Sequence, residues 1–204
     1  MSEKDFYNTI DKTGAAEFKD RGSKFIAYAY PVETTDDCKQ YLQQLKKEHL
    51  KAVHHCFAYR LGWSGNVFRV SDDGEPGGTA GRPILGQIDS KQLTNVSVIV
   101  VRYFGGTLLG VPGLIQAYKS ATAMVLQLIP IIQKPVEILY ELHFDYTQMN
   151  EVMMIIKQSG CSVAGQEMQL FCLLKIGIPK AKLEEVLYKL KEIRITEVRK
   201  CLDV

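Results

Sequence analysis

Asp72, Asp73 and Glu75 stand within four positions of one another, in a stretch (residues 71–83) crowded with glycine and proline. Carboxylates so placed are the raw material of a divalent-cation site or of general acid–base work. Their spacing is not that of an EF-hand loop, and a lone acidic cluster commonly faces water or accepts from backbone N–H groups. His54 and His55 are neighbours in sequence. On a strand their side chains point to opposite faces, so at most one joins a shared site, and neither has zinc-ligand spacing. Cys56 and Ser71 have no base and orienting group arranged around them, so no nucleophile is assigned. One enzymatic reading survives: a metal-dependent small hydrolase or nucleotide-binding enzyme built on Asp72, Asp73, Glu75 and one histidine.

A second group lies in residues 98–118. An apolar, β-branched run ends in Arg102-Tyr103-Phe104, glycines follow at 105, 106, 110 and 113, and Pro112 opens an amphipathic helix. Strand, glycine loop and helix start are parts from which anion sites are made. Gly105 and Gly110 have Walker-like spacing, but Val111-Pro112 stands where Lys-Ser/Thr is needed, which excludes phosphate gripping by that mechanism. As a binding surface the candidates are Arg82, Arg102 and Lys119 for phosphate and Tyr103 or Phe104 for stacking on a base. Gly105 and Gly106 supply the loop backbone, and His54 and His55 lie on the neighbouring strand. Arg102 is equally suited to pair with Asp72 or Asp73 and tie two loops together.

The elements that must position these groups follow from periodicity. Residues 16–30 alternate around Phe18, Phe25, Ala27 and Ala29, with a bulge or turn near Gly22. Thr34 or Thr35 caps a helix running to about His49. Residues 53–61 and 67–71 form a hairpin, and Thr79 caps a short helix through Ile88. After strand 96–103 comes a helix over 112–128, with Leu114, Ala117, Tyr118, Ala121, Val125 and Leu128 on its buried stripe. The pattern restarts near residues 129–135, which places a boundary there: one domain over 1–131 and another over 136–204. The second half has strands at 137–146, 162–167, 169–178 and 195–199. Helices at 147–159 and from Pro179 onward complete a βαββαβ order of the ferredoxin-like plan.

Composition sets limits on partners. At 46% apolar and 24% charged residues, the 204-residue chain can bury a sizeable core, and its net charge of +2 gives no global drive toward nucleic acid. Five scattered cysteines, none in a C-x-x-C pair, suit reduced thiols of a cytoplasmic protein. The N-terminus has no signal-peptide pattern, and no apolar stretch is long enough for a membrane span.

Three ordered motifs then carry a family resemblance. They are His54-His-Cys-Phe-Ala-Tyr-Arg60; Asp72-Asp-Gly-Glu-Pro76 with Gly78-Thr-Ala-Gly-Arg-Pro83; and Arg102-Tyr-Phe-Gly-Gly106 followed by Leu109-Gly110 and Gly113-Leu114. They resemble the signatures of the IMPACT/YigZ family, in its bacterial two-domain form. The resemblance implies an α+β protein: an N-terminal domain similar to ribosomal protein S5 domain 2, and a ferredoxin-like C-terminal domain similar to domain V of elongation factor G. It implies a translation-associated, non-catalytic regulator with RNA, the ribosome or a translation factor as partner, and no cofactor. The chain departs from the family pattern at Gly77, which replaces a common serine, at Gln116, where many members carry Lys or Arg, and at Val111-Pro112, which replaces small residues.

Overall fold

In the computed structural model of the chain, residues 4–168 and 171–201 are described. The chain divides into two compact units, Tyr7–Lys134 and a second that joins Met1–Phe6 to Pro135–Val204. It is a mixed α/β protein.

The first unit is built on an antiparallel sheet of β2 (Gly14–Asp20), β3 (Ser23–Pro31), β6 (Val96–Tyr103), β4 (His54–Leu61) and β5 (Val67–Ser71), side by side in that order. Helices α2 (Gly81–Ser90) and α3 (Gly110–Leu128) cover one face, where Phe25, Ala27, Cys56, Val98, Val100, Ile84 and Tyr118 meet. Helix α1 (Thr35–Glu48) covers the other, packing Cys38 and Leu45 against Tyr30, Tyr59, Ile99 and Val101. A central strand covered on both faces has no polar side to show. That is why β6 is apolar at four successive positions, Val98 to Val101, instead of alternating. Each such side chain contributes about 1.5–3 kcal/mol when buried.

Local chemistry sets the helix starts. Thr34 caps α1 through a reciprocal box: Thr34 Oγ1 accepts from Asp37 N at 3.1 Å, and Asp37 Oδ2 accepts from Thr34 N at 2.8 Å. Thr79, expected to cap the next helix, instead donates its hydroxyl to Pro76 O at 2.6 Å, and α2 begins at Gly81 under a different cap described below. On α3 the expected stripe is buried except for Leu128, which is exposed, while Leu126 is enclosed. Two strands have no counterpart in the sequence reading: β1 (Phe6–Ile10) and β7 (Ile131–Pro135) form a sheet of their own.

In the second unit, β8 (Glu137–Asp145), α4 (Met149–Ser159), β9 (Ser162–Met168), β10 (Phe171–Pro179), α5 (Leu183–Glu192) and β11 (Glu197–Lys200) follow one another in the order βαββαβ. The strands lie β11-β8-β10-β9 and pair antiparallel. Leu142, Phe144, Leu174 and Ile176 pack beneath Val152, Ile156, Val186 and Leu190. The expected strand over 169–178 falls partly on residues 169 and 170, outside the described residues.

One contact positions the glycine loop. The β2–β3 turn passes so close to it that a Cβ on Gly105 would overlap the Gly22 carbonyl and Ser23 N. Gly105 N also donates to Ser23 Oγ at 3.2 Å, and Arg21 Nη2 donates to Leu109 O at 3.3 Å. Only a residue without a side chain allows this approach. Gly105→Ala should therefore cost about 1–3 kcal/mol or more, by overpacking. Urea denaturation measures it; a change below about 0.5 kcal/mol would show that the turn and loop are not held together.

Candidate functional site

The strand register brings the motifs together. β4 pairs with β6 so that His54 lies opposite Arg102, at the end of the sheet where the glycine loop and the acidic loop both leave it. There Arg102 is buried, and its Nη1 donates to Glu75 Oε1 at 2.6 Å. Tyr118, reaching down from α3, donates its hydroxyl to the same oxygen at 2.7 Å. Arg102 Nη2 lies 3.4 Å from Ser23 Oγ, and its guanidinium is flanked by the Phe25 and Phe104 rings at 5.3 and 5.7 Å. The Cys56 thiol sits 3.0 Å from Asp72 O and 3.3 Å from the Tyr118 hydroxyl. Burial pushes both the Cys56 thiol and the Tyr118 hydroxyl far above their ordinary ranges. Neither is a nucleophile or a base near neutral pH.

The three carboxylates face three different tasks. Asp72 accepts from Gly78 N at 2.8 Å through Oδ2, and from Ala80 N and Gly81 N at 3.0 and 2.9 Å through Oδ1. It caps α2 from nine residues upstream, satisfying donors that a helix start leaves open. Burial raises its pKa, but the three backbone donors and the Arg82 charge outweigh that, and the carboxyl titrates below its ordinary 3.8. Asp73, in a left-handed conformation with φ 39°, accepts from His55 N at 2.6 Å and lies 3.7 Å from Lys46 Nζ. Glu75 belongs to Arg102 and Tyr118. The trio therefore does not converge on one point. Among the described residues no group of three or more His, Cys, Asp and Glu side chains is placed to hold a metal ion.

The remaining candidates separate by exposure. His54 and His55 do diverge: His54 Nδ1 is 2.8 Å from Asp73 O, with Nε2 3.8 Å from Glu75 Oε1, whereas His55 is buried on the other side, its pKa lowered by desolvation. A carbonyl only accepts, so His54 Nδ1 carries the proton of that bond. Tyr103 is held by His49, its hydroxyl 2.8 Å from Nδ1, with Lys24 over its ring at 5.1 Å. Gly106 turns the chain at φ 85°. Arg82 and Lys119 are exposed on α2 and α3. Arg102 is not: with 5% of its surface exposed, it is the internal partner of Glu75 and does not reach out to a phosphate in solvent. The alternative partners weighed for it, Asp72 and Asp73, are engaged elsewhere.

Sequence reasoning missed what covers this ion pair. A cavity of about 550 Å³ opens above it, walled by Val53, Phe104, Leu108, Val111 and Leu114, with His54, Glu75 and Arg102 at its polar end. Leucine and valine inside a glycine-rich loop were the available signal, since a solvated loop has no use for them.

These features define a two-unit mixed α/β protein whose sequence motifs all meet at one groove over a buried ion pair. A family model described as the Impact N-terminal domain matches residues 21–126, the span that contains every one of those motifs. An IMPACT family member of Haemophilus influenzae is 36% identical over 172 residues, 83% of this chain and 84% of that one. The IMPACT family member YigZ of Escherichia coli is 32% identical over 172 residues, with the same coverage of 83% and 84%. A solved structure described as that of a hypothetical protein overlays 99% of this chain and 100% of its own, at a TM-score of 0.78 and 26% identity. The chain belongs to the IMPACT/YigZ family.

Two outcomes test this geometry. Arg102→Met leaves Glu75 buried without its cation and should cost about 3–5 kcal/mol, of which Arg102→Met with Glu75→Gln should recover a substantial part. Additive losses in urea denaturation would show that the pair is not coupled. Asp72→Asn removes the charge and places an amide NH2 either where Oδ2 accepts from Gly78 N or where Oδ1 accepts from Ala80 N and Gly81 N, and should cost about 1–2 kcal/mol at pH 7. Because the folded pKa lies below 3.8, the contribution of the cap is present above that value and disappears as pH falls through the lower one. The stability curves of Asp72→Asn and the parent chain should then converge in acid; a gap unchanged from pH 7 to pH 2 would contradict the cap.

Proposed function

We propose that this protein is a non-catalytic, cytoplasmic regulator associated with translation, and that it acts by binding a protein partner, such as a translation factor, through its first unit. The translation role rests on family membership, as the IMPACT/YigZ resemblance implies. The choice of a protein over RNA rests on the face where the motifs meet: it is walled by exposed apolar side chains, and its one central cation, Arg102, is neutralised by Glu75. An RNA contact would fall to Arg82 and Lys119, a thin set of charges for a phosphate backbone. An enzymatic reading finds little support. The three carboxylates serve different tasks, Asp72 at the start of α2, Asp73 at His55 N and Glu75 with Arg102 and Tyr118, instead of converging on one point as a metal site or an acid–base pair needs. We assign the first domain, residues 1–131, to the S5 domain 2-like class and the second, residues 136–204, to the ferredoxin-like class. The strand order β11-β8-β10-β9 supports the latter.

The test is cosedimentation of the native protein with ribosomal fractions, with and without RNase. Association with translation components that survives RNase is expected. Association lost with RNase would assign the partner as RNA and overturn the protein-binding reading. No association under either condition would remove the translation role.

A further inference from the structure

We infer that the groove above Glu75 and Arg102 receives an apolar segment of a protein partner, anchored by a tryptophan or tyrosine whose N–H or O–H reaches Glu75. This rests on the protein-binding reading above and names the chemistry of that partner.

The walls come first. Leu108 is 83% exposed, Val53 54%, Val111 52% and Phe104 47%, so the apolar surface continues from the cavity onto its rim. A ligand small enough to lie inside about 550 Å³ would leave that rim in water. Covering it takes a longer segment that lays neighbouring apolar side chains over Leu108 and Val111 while one side chain enters the cavity. The rim is also held in shape before any partner arrives, because Gly105 is packed on Gly22 and Leu109 O accepts from Arg21. A fixed receptor loop lowers the ordering cost of association.

The polar end defines the anchor. Both bonds made by Glu75, from Arg102 and from Tyr118, fall on Oε1. Its Oε2 accepts from neither. His54 Nε2 borders the same end, 3.8 Å from Glu75 Oε1. A carboxylate oxygen thus stands at the end of an apolar cavity, and a donor must meet it. Arg102 Nε also lacks a partner there, but it is fully enclosed and out of reach of an incoming group. Charge then selects among donors. A carboxylate would meet Glu75, and an ammonium would meet the Arg102 guanidinium while losing its own hydration. A neutral N–H or O–H at the end of an aromatic ring meets neither penalty and fills the walls with apolar area. Tryptophan and tyrosine have that form, phenylalanine lacks the donor, and lysine carries the wrong charge.

The experiment titrates the full chain with N-acetyl-L-tryptophanamide, N-acetyl-L-tyrosinamide, N-acetyl-L-phenylalaninamide and N-acetyl-L-lysinamide, following the His54 ring and Leu108 methyl resonances by NMR. The tryptophan or tyrosine amide should shift both and bind about tenfold more tightly than the phenylalanine amide. A blocked Leu-Trp-Leu peptide should gain a further several-fold, and that gain should be lost in Leu108→Ser, an exposed position whose change leaves the fold intact. Equal binding of the phenylalanine amide would overturn the donor assignment, and tightest binding of the lysine amide would replace it with a cation. A peptide no tighter than the amide would make the occupant a small molecule and sink the partner claim, as would silence of both resonances with every probe. RNase-resistant association with translation components left unchanged by Leu108→Ser would refute this anchor while the protein-binding role stands.

Discussion

The ion pair between Glu75 and Arg102 ties together four parts of the first unit that are distant in sequence. Arg102 ends the central strand, Glu75 comes from the acidic loop, Tyr118 comes down from α3, and Ser23 belongs to the turn beneath the glycine loop. Taking two charges out of water costs several kcal/mol per ion, and their attraction repays it only when geometry and extra hydrogen bonds are good. Here both conditions hold on one carboxylate oxygen, which receives a guanidinium and a phenol hydroxyl at 2.6 and 2.7 Å. Such an arrangement is a weak source of net stability compared with an apolar replacement. What it supplies is position: any loop displacement strands a buried charge, so the loops around the groove have one conformation that satisfies all of them.

The same logic explains why acidic residues in a glycine-rich loop need not be chemistry. Asp72 gathers the three N–H groups of a helix start, and a helix whose first turn carries no capping side chain of its own needs such an outside acceptor. Asp73 can sit in a left-handed turn because aspartate tolerates that conformation better than most residues, and from there it orders the histidine strand through His55 N. Glycines at 74 and 78 take positive φ between them, so the chain can bend sharply enough for all three carboxylates to face inward on different elements.

Much of the fold was legible because its signals are local. The α3 stripe from Leu114 to Val125, the alternation of β3 and a threonine cap before α1 can each be read within one window of sequence, and the structure has them. The apolar run from Val98 to Val101 in β6 announced a buried strand. What could not be read is what depends on distant partners. Thr79 is a chemically reasonable cap, but a carboxylate with two acceptor oxygens was folded back over the same N–H groups. Arg102 was legible as either a phosphate contact or a tether. Choosing Glu75 over Asp72 and Asp73 requires knowing how the loop bends, which depends on backbone conformations at Asp73 and Gly74. The strands β1 and β7 carry partly exposed residues with weak alternation, so their pairing with each other left no local mark. The groove escaped for a related reason. Its walls come from β4, from the loop after β6 and from α3, and no single segment contains enough of it to be noticed.

Exposed leucine, valine and phenylalanine around a rigid, motif-bearing groove are costly to keep on a free surface, since contiguous apolar patches promote association and give nothing back to the fold. Leu108 makes this plain: at 83% exposed it adds little to the core, whereas Leu109 beside it is buried and supplies the loop's packing. A fold that needed only the loop would be served by one leucine. The polar end strengthens the point. A purely structural ion pair is best sealed off completely, yet His54 and Glu75 border an open cavity while their partners hold only one side of each. The loop thus presents an apolar surface whose shape is fixed by the charges beneath it. In the binding role proposed above, that floor would supply selectivity, because an occupant lacking a donor would bury the free Glu75 oxygen without satisfying it.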